Sequence, residues 1–111
     1  MNNDFASAAT QALLVRYAES LREKATTLEA LHNTLRRQPD RVSDWQTLAL
    51  TVHRLGGSAG AYGFERIGDL AKRLDAAIRA QLERDPGGEA SEHEGIFQQL
   101  SDLIDELHRT G

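Results

Sequence analysis

The stretch SDWQTLALTVHRLGGSAGAYG, residues 43–63, combines the apolar spacing of an amphipathic helix with an unusual number of glycines. Its apolar residues recur every three or four positions, which places them on one face of a helix. That face consists of Trp45, Leu48, Val52, Leu55, Ala59 and Tyr62. Ser43 and Gln46 predict a capping box at the start of this helix. Gly63 is expected to end it, because glycine tolerates the left-handed backbone of a helix terminus.

Helical spacing of the same kind occurs in three further segments. The first has the apolar face Leu14, Tyr17, Leu21, Leu28, Leu31 and Leu35, interrupted by Lys24. The third has Phe64, Ile67, Leu70, Ala71, Leu74, Ile78 and Leu82. The fourth follows a second predicted capping box, Ser91 to Glu94, and has Ile96, Phe97, Leu100, Leu103, Ile104 and Leu107. Short connections between four such helices predict an all-α, antiparallel four-helix bundle of up-down-up-down order.

Length and composition limit what else the chain can be. At 111 residues we expect one domain spanning residues 1–111, with a bundle core at about 13–109 and a short lead-in helix before it. A net charge of −4, with no basic stripe, argues against nucleic acid as a partner. The absence of cysteine excludes disulfides and thiol chemistry. With no long apolar run and no signal-peptide pattern at the start, we expect a cytoplasmic protein that does not bind membranes.

Three glycines lie in the interior of the second helix, at Gly56, Gly57 and Gly60. Each costs up to about 1 kcal/mol relative to alanine, which calls for a reason. At about 100° per residue, His53 lies about 100° from Val52, on the solvent side. Its neighbours on that strip are Gln46, Ala49, Gly56, Gly57 and Gly60. Such a strip would leave an imidazole open to a partner, and a neutral imidazole can attack phosphorus without a separate base.

The glycines also have a simpler interpretation. They would let a neighbouring helix pack closely, and His53 would then be an incidental surface residue. We favour the open strip, because the wheel places the glycines around His53 and off the apolar face.

The run His53-Arg54-Leu55-Gly56-Gly57-Ser58-Ala59, followed by Gly63, resembles the His-x-Leu-Lys-Gly-Ser-Ala-x-x-x-Gly signature of histidine phosphotransfer (Hpt) domains. The resemblance covers about residues 13–107. It implies that His53 accepts a phosphoryl group from a receiver-domain aspartyl phosphate and relays it to another response regulator. It further implies that Gly57 leaves access to the imidazole, that Ser58 lets the helices pack, and that Gly63 forms the turn.

The same resemblance sets expectations for partners and cofactors. The partners would be response-regulator receiver domains or a hybrid histidine kinase, and the protein itself would be a monomer. It would be a phosphocarrier and not an enzyme. The receiver would supply the aspartate and Mg²⁺, so we expect no cofactor and no metal on this chain. The apolar residues that frame the site, Leu50 and members of the first helix, would contact the partner.

One position departs from the signature, because Gly56 stands where the family usually has a lysine that offsets the phosphoryl charge. Lys72, Arg73 and Arg79 of the third helix are the candidates to take its place, whereas Arg54 points about 100° away from His53. Asp75 is a candidate to hydrogen-bond the second ring nitrogen of His53, and Gln46 a candidate partner contact. The missing lysine also favours an alternative, an Hpt-fold module that binds receivers or kinases without carrying phosphate.

Two carboxylate-x-x-His pairs, Glu29 with His32 and Asp105 with His108, resemble the ligand pairs of di-iron helix bundles. Glu29 lies about 100° from the apolar face, however, and His108 is close to the end of the chain. We therefore expect no metal site, and we interpret His32, His93 and His108 as surface or boundary residues.

Overall fold

A computed structural model describes the backbone of residues 3–84 and 90–110 and the side chains of residues 8–84 and 93–110. Within those ranges the chain forms four helices, α1 (Asn3–Arg37), α2 (Val42–Ala59), α3 (Glu65–Arg84) and α4 (Ala90–Thr110). The same ranges contain no strand. None of these helices has an apolar stretch long enough to cross a bilayer.

Contacts between distant residues show that packed helices run in opposite directions. Tyr17, in the N-terminal half of α1, shares a hydrogen bond of 2.7 Å with Ser58 at the end of α2. Arg66, at the start of α3, donates a hydrogen bond of 3.0 Å to Glu106 near the end of α4. The predicted all-α, antiparallel four-helix bundle is therefore confirmed.

The core is formed almost wholly by the predicted apolar faces. Its fully buried members include Leu28 of α1, Leu48 of α2, Leu74 of α3 and Leu100 of α4. Burying one such leucine contributes about 1.5–3 kcal/mol. In α1 the prediction needs one correction: Ala25 is buried and completes the face, because it lies one turn from both Leu21 and Leu28, whereas Lys24 is exposed.

The N-terminal lead-in helix is not a separate element, which corrects the sequence-based expectation. α1 runs without interruption from Asn3 to Arg37, since this segment contains neither proline nor glycine and its first part is rich in alanine. Leu13 and Val15 of α1 are 51% and 58% exposed, so this part of the helix extends past the buried core. The molecule is elongated as a result, measuring 59 × 22 × 20 Å.

The start of α2 also differs from the prediction. The residue that caps the helix is Arg41, which makes no side-chain capping hydrogen bond, and Ser43 lies inside the first turn. The predicted capping box with Gln46 is therefore wrong. A tertiary contact fixes this end instead, because the Trp45 indole N–H donates a hydrogen bond of 2.8 Å to the Pro39 carbonyl. The second predicted capping box depends on the side chain of Ser91, which lies outside the described residues.

Gly63 forms the turn after α2, as the resemblance implies, with φ = 89°, but α2 itself ends earlier than expected, at Ala59. The backbone N–H of Phe64 donates to the Ala59 carbonyl (2.8 Å), and that of Gly63 donates to the Gly60 carbonyl (3.1 Å). These two bonds form a Schellman motif, which requires the left-handed conformation that glycine adopts without strain. The tight turn brings α3 back along α2 immediately.

The turn sets the register between α2 and α3. Residues at equal sequence distance from Phe64 meet across the two helices: Gly60 faces Gly68, each four residues away, and Gly56 faces Lys72, each eight away. The backbones approach closely at the first pair, since a Cβ on Gly68 would lie 3.3 Å from the Gly60 nitrogen. Glycine at position 68 is what permits this approach.

Candidate functional site

His53 lies on the outer face of α2, and its side chain is 57% exposed. Its Nδ1 atom lies 2.9 Å from Oδ2 of Asp75, which α3 places opposite it. The two residues are each eleven positions from Phe64, so this pair follows from the register of the α2–α3 turn. The sequence-based expectation that Asp75 hydrogen-bonds a ring nitrogen of His53 agrees with this geometry.

Arg79 completes a three-residue cluster with His53 and Asp75. Its Nε donates a hydrogen bond of 2.8 Å to Oδ1 of Asp75, and one terminal nitrogen lies 3.0 Å from Nδ1 of His53. Burial alone would raise the pKa of Asp75, but the hydrogen bonds from His53 and Arg79 outweigh it and hold this pKa below its ordinary value. Asp75 is therefore an anion at neutral pH.

The neighbours of Nδ1 indicate which nitrogen of His53 carries the proton. Asp75 can only accept a hydrogen bond, whereas Arg79 can only donate one, so a single Nδ1 cannot satisfy both. The Asp75 side chain is only 14% exposed and depends on protein donors, while the 56% exposed Arg79 can turn its terminal nitrogen to water. We therefore assign the proton to Nδ1, which leaves the lone pair on Nε2. No other described side chain forms a hydrogen bond with this imidazole.

The surface beside His53 is open at two of the predicted glycines. A Cβ placed on Gly57 or on Gly60 would meet no atom within 4 Å, and both residues are exposed. Gln46 is exposed and Ala49 half-buried on the same helix. Leu50, the expected partner contact, is 49% exposed.

Gly56 does not belong to the open strip, and that part of the prediction is wrong. The residue is buried, because α3 crosses α2 there: a Cβ on Gly56 would lie 3.1 Å from Cγ of Lys72 and 3.4 Å from its backbone nitrogen. The simpler interpretation of the glycines, close packing of a neighbouring helix, therefore holds for Gly56 and for the backbone contact of Gly60 with Gly68. It does not hold for Gly57.

Ser58 connects α2 to α1 through its hydrogen bond with Tyr17. The Tyr17 ring also stacks on Tyr62, with centroids 4.2 Å apart. Burial raises the pKa of Tyr17 above its ordinary value, although the Ser58 hydrogen bond opposes this shift. Apolar spacing does not predict this contact, because Tyr17 has the same spacing as the other apolar residues of α1.

A comparison with known protein families matches residues 12–110 to the Hpt domain. The chain belongs to the Hpt domain family. No curated protein and no solved structure matches it. Hpt domains are phosphocarriers of two-component phosphorelays, and they interact with receiver domains and histidine kinases. The matched segment contains His53 and every residue of the cluster around it.

The cations of this Hpt domain differ in where α3 places them. Arg79 lies beside the imidazole, and Lys72 lies over Gly56. Arg73 faces the other way, into a groove between α3 and α4 lined by Leu70 and Asp102. Arg73 is therefore not one of the cations near His53, although it was a candidate from the sequence.

The histidines outside this cluster occupy different surroundings. His93 is only 2% exposed and packs against Trp45, with ring centroids 4.8 Å apart, so its interpretation as a surface or boundary residue is wrong. The side chain of His93 points from α4 towards the aromatic residues at this end of the bundle. His108 contacts Glu29 across α4 and α1. Within the described residues, no three acidic or histidine side chains come together as a metal site would require.

Proposed function

We propose that this Hpt domain carries a phosphoryl group on Nε2 of His53, accepting it from an aspartyl phosphate of one receiver domain and relaying it to another response regulator. The observation that carries this proposal is the contact between His53 and Asp75. It engages Nδ1 and its proton, and it leaves Nε2 as the free nucleophilic nitrogen of a side chain that is 57% exposed.

The transfer step needs no base from this chain. The Nε2 lone pair attacks the phosphorus of the aspartyl phosphate, and the N–P bond forms as the bond from phosphorus to the aspartate oxygen breaks. The leaving carboxylate keeps that electron pair. The Nδ1 proton stays in place, so the ring becomes cationic while the adjacent Asp75 anion stabilises it. Transfer to the next receiver is the same step in reverse.

The chain therefore supplies a nucleophile and a docking surface. Phosphoryl transfer depends mainly on positioning and charge neutralisation, and the receiver would bring the acceptor aspartate and Mg²⁺. We propose no cofactor, metal or autonomous catalysis for this chain, and we expect it to act as a cytoplasmic monomer. Its contact with a receiver would be transient and of modest area.

The test is to incubate the protein with a radiolabelled, phosphorylated receiver and to follow the label. We expect acid-labile, alkali-stable label on the wild type and none on His53→Gln. His108→Gln is the matched control, because His108 is also 57% exposed and also contacts a carboxylate, that of Glu29. Label that persists in His53→Gln would overturn the proposal.

The second candidate, an Hpt-fold module that only binds, rests on Gly56 standing in place of the family's lysine. It predicts that the wild type binds the phosphorylated receiver and acquires no label. Measuring binding and labelling on the same receiver therefore separates the two functions.

A further inference from the structure

The phosphoryl group that the proposed function places on His53, and on which this inference rests, would bring new negative charge to the site. A phosphoryl group has up to two negative charges near neutral pH. Asp75 places a further negative charge 2.9 Å from the same ring. Anions this close repel each other unless cations face them, so the site requires positive charge near the phosphoryl position.

Arg79 supplies only part of this charge. The Nε of Arg79 donates a hydrogen bond to Asp75, so the charge of this arginine first neutralises that carboxylate. Its terminal nitrogen also lies next to Nδ1, the ring nitrogen opposite the one that would be phosphorylated. A second cation is needed on the side of Nε2.

Lys72 is placed to be that cation. Its Cγ lies 3.1 Å from the position of a Cβ on Gly56, so its stem crosses α2 where a side chain of residue 56 would begin. Positions 53 and 56 are one turn apart on α2, which separates their side-chain origins by about 5–6 Å. The lysine ammonium lies three bonds beyond Cγ on a flexible stem, so a phosphoryl group on Nε2 is within its reach.

The charge of Lys72 is also available. The residue is exposed, and unlike Arg79 it forms none of the ion pairs found among the described side chains. Arg73, its neighbour in sequence, lies in the groove on the opposite side of α3.

We propose that Lys72 is the cation that contacts the phosphoryl group on His53. Because Gly56 has no side chain, α2 leaves the space in which the Lys72 side chain of α3 lies. Glycine at position 56 then has a specific purpose. Any larger residue there would compete with the Lys72 stem for the same space.

The proposal predicts that the cation can be moved between the two helices. Lys72→Met keeps an unbranched stem and removes the charge, so the equilibrium constant for transfer from receiver to His53 should fall about three- to tenfold. Lys72→Arg should retain most of the wild-type equilibrium constant. In the double variant Gly56→Lys with Lys72→Ala, a lysine on α2 should restore most of the loss. Arg73→Met is the matched control, since it removes the same charge one residue away on the other side of α3.

A second readout depends on the charge itself. Titration of the phosphorylated protein by ³¹P NMR should give a higher phosphoryl pKa in Lys72→Met than in the wild type, because a nearby cation favours the doubly charged phosphoryl group. Circular dichroism melts of each variant show whether the helices remain folded.

The outcomes separate this inference from the proposed function. If the wild type is labelled on His53 but Lys72→Met matches it in both equilibrium and ³¹P titration, the role of Lys72 is wrong while the phosphocarrier function stands. An equal loss in Arg73→Met would show a general charge effect and would also overturn the inference. Absence of label on the wild type itself contradicts the proposed function.

Discussion

His53 of α2 and Asp75 of α3 are joined by a contact of 2.9 Å between Nδ1 and Oδ2. The contact exists because the Gly63 turn folds α3 back along α2 in a register that pairs residues equidistant from Phe64. The same register places Lys72 over Gly56. A single tight turn therefore places Asp75 against Nδ1 of His53 and also sets which cations of α3 lie near this histidine.

The first prediction concerns the charge of Asp75. Asp75→Asn keeps the shape of the side chain but removes the anion that holds the Nδ1 proton and stabilises the cationic ring. We expect phosphoryl transfer from a receiver to slow by about 10- to 100-fold, the range typical when the hydrogen-bond partners of metal-bound histidines are removed. Rapid-quench kinetics would measure it. The control is Asp102→Asn, which alters an exposed aspartate of α4 that accepts from Gln98. Wild-type rates in Asp75→Asn would remove Asp75 from the site.

The open surface at Gly57 predicts a separation of stability from function. In Gly57→Gln the new side chain meets no steric obstacle in the folded protein and improves helix propensity, so the free energy of unfolding should rise by about 0.5–1 kcal/mol. The same side chain stands in the approach to His53, so transfer should fall at least tenfold. Gly95→Gln on α4 is the matched control, because a Cβ there also meets nothing within 4 Å. It should gain stability without loss of transfer, and equal transfer in both variants would show that Gly57 does not guard access.

Gly68 should respond in the opposite way to the same kind of change. In Gly68→Ala the added methyl would lie 3.3 Å from the Gly60 nitrogen, an atom of the backbone that cannot move aside alone. We expect a loss of about 1–3 kcal/mol, typical of an overpacked contact, in urea unfolding. A gain in stability like that expected for an unobstructed helical position would mean that α2 and α3 are not in close contact at these glycines.

A pH effect should arise at the other end of the bundle. Burial lowers the pKa of His32, nearby Arg36 adds to this shift, and Glu94 opposes it. The unfolded chain then binds a proton more readily than the folded one, so stability from this residue is complete above about pH 6.5, the ordinary histidine value, and falls as the pH drops towards the lower folded value. His32→Phe keeps a ring against Phe97 and removes the titration. When the pH is lowered from 7.5 to 5.5, the melting temperature of the wild type should fall further than that of the variant. Parallel losses would contradict the lowered pKa of His32.

Periodicity was sufficient to predict the four helices and most of the core, since burial repeats along each of them. It failed where a contact between elements decides the local structure. Ser43 is a residue type that favours the cap position, but the residue that caps α2 is Arg41, two residues earlier, and the hydrogen bond from Trp45 to Pro39 holds this end of the helix. The apolar face of α1 passes through Ala25, which is fully buried one turn from both Leu21 and Leu28, and not through the exposed Lys24.

At the site, too, the features that depend on one helix were predictable and those that depend on contacts between helices were not. A helical wheel identifies His53 as exposed and Gly57 as lying beside it, since both depend on α2 alone. It places Gly56 only about 20° outside the apolar face, and it contains no information on where α3 crosses. The signal that was available is the turn at Gly63: pairing residues about Phe64 brings position 72 to position 56 and position 75 to position 53. That step requires the turn conformation, which the sequence only suggests.

Phosphorylation of Nε2 of His53 can be observed by NMR of the protein labelled with ¹⁵N in histidine and phosphorylated by a receiver. We expect a phosphorus–nitrogen coupling at Nε2 of His53, with the proton retained on Nδ1 beside Asp75. Coupling at Nδ1, or at another histidine, would contradict it.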